Sequence, residues 1–225
     1  MGLLVFEGMS MKVIAVIAAL LVMLVAGCGR KTQQPAMTLP AELKKIHCQK
    51  DSKNYVEGHD FVRVAGTVVA LRCVKQGTMK NAEQDLKAGK DTVAFRIYFM
   101  KTPEGEFLIG DSVGADLWPT AKEARYITTA SATPDPSQSS KIPLDNRVEI
   151  NVPTPNAFAA SGAEMTFECS RPIGNGGACY GNVQSKALYW RVIVRFGWPY
   201  PKVPEMQVEL AEVLNLLAAH IVKQD

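Results

Sequence analysis

The chain has 225 residues, of which 47% are apolar, 21% charged and 8% aromatic, and its formal net charge is +3. That composition excludes a disordered chain, a collagen-like repeat and a multi-span membrane protein. The charge is too mild, and the Lys and Arg too scattered, to point to nucleic acid, so no such partner is expected.

Lys12 is followed by an unbroken apolar run, Val13 to Ala26 (VIAVIAALLVMLVA). The run has the length of a signal-peptide core and falls short of the roughly 20 residues that a spanning helix needs. Met1 to Ser10 carries Glu7 and no basic residue, whereas the start of a signal peptide is positive, so the expected start is Met9 or Met11. The run closes on Leu24-Val25-Ala26-Gly27-Cys28: an aliphatic residue, two small ones and a cysteine. This segment resembles the lipobox of bacterial lipoproteins. The resemblance implies a diacylglycerol on the Cys28 sulfur, cleavage before Cys28 by signal peptidase II and acylation of the new amino terminus. Gly29 is not the aspartate that retains enteric lipoproteins at the inner membrane, which implies a periplasm-facing protein at the outer membrane. The similarity ends there, and no domain family is recognised behind it.

The resulting plan is a signal peptide over 1–27, the lipidated cysteine and a polar tether over 28–40, and a single α+β periplasmic domain over 41–225. Gly29 to Pro40 holds two prolines and no apolar period, as a tether does. Ala41 to Cys48 suits a short helix with Leu43 and Ile46 on one side. Phe61 to Val74 is β-branched and interrupted by Gly66, hence a bent strand or two strands. Gly77 to Lys90 is polar and reads as a loop with a helical turn. Thr92 to Met100 alternates, with Val93, Phe95, Ile97 and Phe99 on one face, and turn residues at 102–105 lead to Glu106–Ile109, which predicts a hairpin.

Pro119 to Tyr126 suits a short helix, and Ser131 to Asp145 is a Ser/Pro-rich loop. Arg147–Val152 and Glu164–Cys169 are short strands, and Lys186 to Phe196 is the longest and the expected centre of the sheet. Its core face is Leu188, Trp190, Val192, Val194 and Phe196, with Tyr189, Arg191 and Arg195 opposite. Val203 to Lys223 repeats apolar residues at three- and four-residue spacing (Met206, Leu210, Val213, Leu214, Leu217, Ile221), the clearest helix in the chain. Strands first and one long helix last, without β-α-β alternation, predict an α+β fold: a mostly antiparallel sheet with the C-terminal helix packed on it.

Four cysteines remain besides Cys28, in a compartment that permits oxidation. They allow three connectivities. Cys169 with Cys179 is favoured because the two flank one glycine-rich segment, leaving Cys48 with Cys73. No C-x-x-C or H-x-x-x-H spacing supports a metal, and His47-Cys48 cannot turn both side chains to one ion, so neither metal nor cofactor is expected.

The segment Ser170 to Asn182 (SRPIGNGGACYGN) brings four glycines and a cysteine together and reads first as a rigid hairpin end, next as a loop for contact with a partner, and last as an anion site, since it lacks the ending and following helix of a phosphate-binding loop. Ile173, Asn175 and Tyr180 within it, with Trp198 and Tyr200 in the turn before the last helix, are the candidate partner-binding residues. Arg96, Arg191 and Arg195 would form a basic patch if their strands are neighbours, or a solvated face. His47, His59 and His220 lie beside no nucleophile signature, and His220, read as off the apolar stripe, favours the helix dipole. Glu164 and Glu168 share a strand face and read as a solvated edge rather than an acid–base pair. The expectation is therefore a non-enzymatic, lipid-tethered envelope protein that binds another protein. In overall plan it resembles periplasmic inhibitors and immunity proteins, or accessory lipoproteins of secretion machines. A small-ligand or hydrolytic domain is the alternative.

Overall fold

The computed structural model describes residues 37–48, 55–75, 84–110, 125–135, 147–158, 162–170, 176–185, 188–197 and 199–222. In chain order they form α1 (Ala41–Lys44), β1 (His47–Cys48), β2 (Tyr55–Val64), β3 (Thr67–Lys75), β4 (Phe95–Lys101), β5 (Phe107–Gly110), β6 (Tyr126–Thr133), β7 (Arg147–Pro153), β8 (Glu164–Ser170), β9 (Gly177–Ser185), β10 (Leu188–Phe196) and α2 (Val203–Ala219). Eight strands make one sheet in the order β1-β5-β4-β6-β10-β9-β8-β7, antiparallel throughout except for β1 beside β5. This is the α+β architecture that the pattern of elements predicts.

The strand β10 sits in the middle because its alternation is the strongest in the chain. Leu188, Trp190, Val192, Val194 and Phe196 are all buried toward α2. Val192 and Val194 have small neighbours on both ladders, Ala130 and Thr128 on β6 and Gly181 and Cys179 on β9, while Trp190 has Ala132 on β6 and Phe196 has Gly177 on β9. Large side chains flanked by small ones let a helix settle against the centre of the sheet. The helix supplies Met206, Leu210, Val213, Leu214, Leu216 and Leu217 to that core. At its start the Lys202 N–H donates to the Glu205 carboxylate at 3.2 Å, and Pro204 occupies a first-turn position where no amide donor is required.

The sheet curls around α2. The Gln207 side chain donates to the Asn151 carbonyl of β7 at 2.7 Å, and two residues later Glu209 is bound by Lys101 of β4 at 3.2 Å. In a flat sheet β4 and β7 would stand about 24 Å apart at the usual strand spacing, beyond what one helix can touch on both sides. The Gln207 contact also occupies a carbonyl on the edge strand β7, whose last residue is Pro153, and both features blunt that edge against further pairing.

The hairpin β2–β3 turns on Ala65 and Gly66, both in the left-handed region at φ 47° and 77°, the two-residue turn whose twist matches a hairpin. It clasps the end of α2. The Ala70 N–H donates to the His220 carbonyl at 2.7 Å and the Val222 N–H to the Val68 carbonyl at 2.9 Å, so the chain leaving the helix pairs with β3. Cys48–Cys73 ties β1 of the large sheet to this hairpin, and Cys169–Cys179 joins facing residues of β8 and β9. Both bonds are the pairs favoured from the sequence.

Several boundaries differ from the sequence expectations. The first helix stops at Lys44, and His47–Cys48 is extended because it pairs with Leu108–Ile109. Leu43 and Ile46 are both buried, and Leu39, inside the expected tether, is already in the core. The Phe61–Val74 stretch is two strands, the first beginning at Tyr55. The alternating strand starts at Phe95, leaving Val93 81% exposed. Tyr126 opens a strand rather than closing a helix, and Ser131–Thr133 belong to that strand rather than to a loop; residues 119–124 and 136–145 lie outside the described residues. Residues 84–87 do form the helical turn expected within the polar loop. Most of Ser170–Asn182 is strand: Ser170 ends β8 and Gly177–Asn182 begin β9. The C-terminal helix ends at Ala219, so Ile221 pairs with Val69 instead of lying on the helical stripe.

Candidate functional site

Alternation that buries one face of the sheet under α2 sends the other residues outward, and strand order brings them into rows. Arg96 on β4 faces Ser131 on β6, which faces Arg191 on β10, which faces Asn182 on β9. In the next row Tyr98, Thr129, Ile193, Tyr180 and Glu168 run across five strands to Glu149 on β7. Arg195 follows on β10, exposed, and Tyr189 with Gln184 and Thr133 forms a row at the other end. The outer face thus carries three tyrosines (Tyr98, Tyr180, Tyr189) and four arginines (Arg96, Arg147, Arg191, Arg195) among Ser, Thr, Asn and Gln. Tyr and Arg combine large contact area with hydrogen-bonding capacity and are the residues enriched in binding surfaces.

Charge on this face is uneven. Toward β7 and β8 the Arg147 guanidinium binds Glu149 and Glu168, each at 2.9 Å, and closes that end as an ion-paired cluster. Toward β4 and β10 lie Arg96, Arg191 and Arg195. The Arg96 guanidinium donates to the Tyr98 hydroxyl at 3.0 Å and covers its ring at 5.9 Å. The three arginines expected as a patch therefore do share a face, because β6 places Arg96 and Arg191 on either side of Ser131. Glu164 and Glu168 also share it, with Glu168 engaged by Arg147.

Of the candidate partner-binding residues, Tyr180 lies in the middle of this face, half-buried. Tyr200 is engaged inside the chain. Its hydroxyl donates to the Ser170 carbonyl at 3.0 Å, its ring meets Phe196 edge-on at 6.0 Å, and burial pushes its pKa up. Its ring also lies where a side chain on Gly177 would project, which is why that position is glycine. Ile173, Asn175, Trp198 and Cys28 lie outside the described residues.

Two sites were missed by the sequence reading. His220 lies on the apolar stripe, four residues after Leu216 and three after Leu217, and is wholly buried; the expectation that it favours the helix dipole is corrected. Its Nδ1 bonds the Leu216 carbonyl at 2.8 Å, and burial pushes its pKa down to about 4, against a smaller upward pull from that bond, so the ring is neutral near pH 7. The second is a buried charged cluster between sheet and helix: Lys101 binds Glu209 at 3.2 Å and also Glu212, and Arg125 binds Glu209. Lys101 continues the Phe95, Ile97, Phe99 face of β4, and Glu209 lies three residues after Met206, so both were legible only by extending apolar patterns through charged residues. Among the described residues, no group of three or more His, Cys, Asp and Glu is placed to hold a metal. No helix among them is long and apolar enough to cross a membrane.

Compared with protein-family models, with curated proteins and with solved structures, the chain matches none.

Proposed function

We propose that this chain is a lipid-anchored envelope lipoprotein, tethered through Cys28 and facing the periplasm, whose α+β domain binds another protein without catalysing a reaction. The observation that carries the reading is the row Tyr98, Thr129, Ile193, Tyr180 across the outer face, bordered by Arg96 and Arg195. Half-buried tyrosines beside an aliphatic residue, rimmed by arginines, fit a protein partner presenting acidic side chains. Ile173, Asn175, Trp198 and Tyr200 are the further contact residues of this proposal. The anchor rests on the Leu24–Cys28 segment, and acyl chains contribute about 0.8 kcal/mol per buried methylene, so a multiply acylated chain stays in its bilayer.

The test is capture from native envelopes by the lipidated protein tagged after Asp225. The controls are a Cys28→Ser variant, in which palmitate labelling should vanish, and Tyr180→Ala and Arg195→Glu variants. The expected result is one stoichiometric partner, released by added salt and lost in both face variants while thermal unfolding is unchanged. A partner retained by both variants, or none above the untagged control, overturns the reading. An inhibitor of a single soluble enzyme and an accessory subunit of a large membrane assembly then separate by copy number relative to the partner.

A further inference from the structure

One end of the outer face, beginning at the row next to Tyr98–Tyr180 and running away from it, forms a cleft of about 280 Å³. Its floor is two rows of three strands. In the first, Gln184, Tyr189 and Thr133 stand side by side; in the second, Asn182, Arg191 and Ser131 do. Asp135 lies at the mouth, where its N–H donates to the Thr133 hydroxyl at 3.2 Å. A half-buried tyrosine ring is therefore flanked at one strand spacing by an amide and a hydroxyl, and the same two groups recur one row along.

The chemistry of that lining selects its ligand. An apolar molecule would strip water from two amides and two hydroxyls and satisfy none of them. An anion would find Arg191, but it would also find the Asp135 carboxylate, and both of these charged residues are already engaged within the chain. Amides and hydroxyls each donate and accept, which is what a rim of sugar hydroxyls requires, since every hydroxyl there is itself both donor and acceptor. The tyrosine ring offers an apolar plane with a polar tip to the C–H face of a sugar ring. The volume is at the small end of ligand clefts, room for a unit or two of a chain that continues over the open face.

We propose that this cleft is a binding site for a neutral saccharide chain, with Tyr189 as the stacking platform and Asn182, Gln184, Ser131 and Thr133 as the hydrogen-bonding rim. The site goes beyond the protein-binding reading and does not depend on it.

The test uses the full-length protein in a detergent without a sugar headgroup. Binding of chitotetraose, maltotetraose and succinate is followed by calorimetry at millimolar concentrations. At least one of the two saccharides is expected to bind. Tyr189→Ala and Gln184→Ala are each expected to weaken it by about tenfold, the loss of one good contact, while Glu149→Gln at the far edge leaves it unchanged. Gln184 and Asn182 are exposed, so Gln184→Ala and Asn182→Ala carry the test if Tyr189→Ala disturbs the fold. Failure of both saccharides to bind, binding indifferent to these variants, or succinate bound in their place overturns the proposal. Partner capture from envelopes is a separate readout, so the two readings fail independently.

Discussion

His220 closes α2 as a fully buried imidazole whose Nδ1 is satisfied by the Leu216 carbonyl and whose Nε2 has no hydrogen-bond partner among the described residues. Burial holds its pKa near 4, below the ordinary value of 6.5, so the fold favours the neutral ring. The unfolded chain therefore takes up a proton that the folded chain refuses. This contribution to stability is complete above pH 6.5, declines as pH falls from 6.5 toward about 4, and changes no further below that. The loss across the window is on the order of 3 kcal/mol. Urea unfolding of the wild type and of His220→Gln at several pH values checks it: the variant should lose less stability between pH 6.5 and 4.5, and parallel curves would refute the assignment. The Tyr126 hydroxyl makes the converse case. It is buried with no hydrogen-bond partner among the described residues, and burial, followed by the nearby Glu209 and Glu212 carboxylates, keeps it protonated. Tyr126→Phe removes an unsatisfied group, so stability should stay level or rise by up to about 1 kcal/mol. A clear loss would show that the hydroxyl is bonded.

At the scale of elements, β9 shows why glycine misleads a reading from sequence. The ring of Phe167 on β8 fills the space beside Gly181, and a β-carbon there would lie 2.5 Å from the Phe167 Cε1. Phe167 is fully buried and cannot swing away. Gly181→Ala should therefore cost about 1–3 kcal/mol in chemical unfolding, and an unchanged midpoint would mean the ring has room. Counted along the chain, the glycines of this segment announce a loop; packed against Phe167 of β8, Gly181 is the small half of a complementary layer. The same logic hid β6. Its core-facing Thr128, Ala130 and Ala132 are small because Val194, Val192 and Trp190 of β10 stand beside them, and only the partner strand explains them. By contrast β10 and α2 carry the large residues of the pairing, so their periods of two and three to four were plain. The outer face was half legible. Alternation points Arg191 and Arg195 outward, but the meeting of Arg96, Ser131, Arg191 and Asn182 depends on strand order, which no local pattern contains.

For the whole molecule, the question is what fixes α2 within the curled sheet, since apolar contacts are non-directional and allow a helix to slide. The cluster of Lys101, Glu209, Glu212 and Arg125 supplies direction where the helix begins its descent over β4. Lys101 and Glu209 are almost wholly buried, their side chains 8% and 7% exposed, whereas Glu212 and Arg125 are partly in water. Removing one buried partner leaves the other with only a partly exposed one: Glu209 keeps Arg125, and Lys101 keeps Glu212. Lys101→Met and Glu209→Leu should each destabilise by about 1–3 kcal/mol, and the double variant by clearly less than their sum, because two matched apolar side chains replace a buried pair at little net cost. Additive losses would show that the two residues act independently. The far end of α2 is held differently, by backbone bonds from Ala70 and Val222 to the hairpin, which Cys48–Cys73 in turn ties to β1. Those contacts do not pass through Lys101. Hydrogen exchange on Lys101→Met should therefore lose protection first in β4 and the opening turns of α2, while the amides of Ala70 and Val222 keep theirs. Uniform loss across both ends would mean that helix and sheet open as one unit, with the charged cluster adding stability but no local hold.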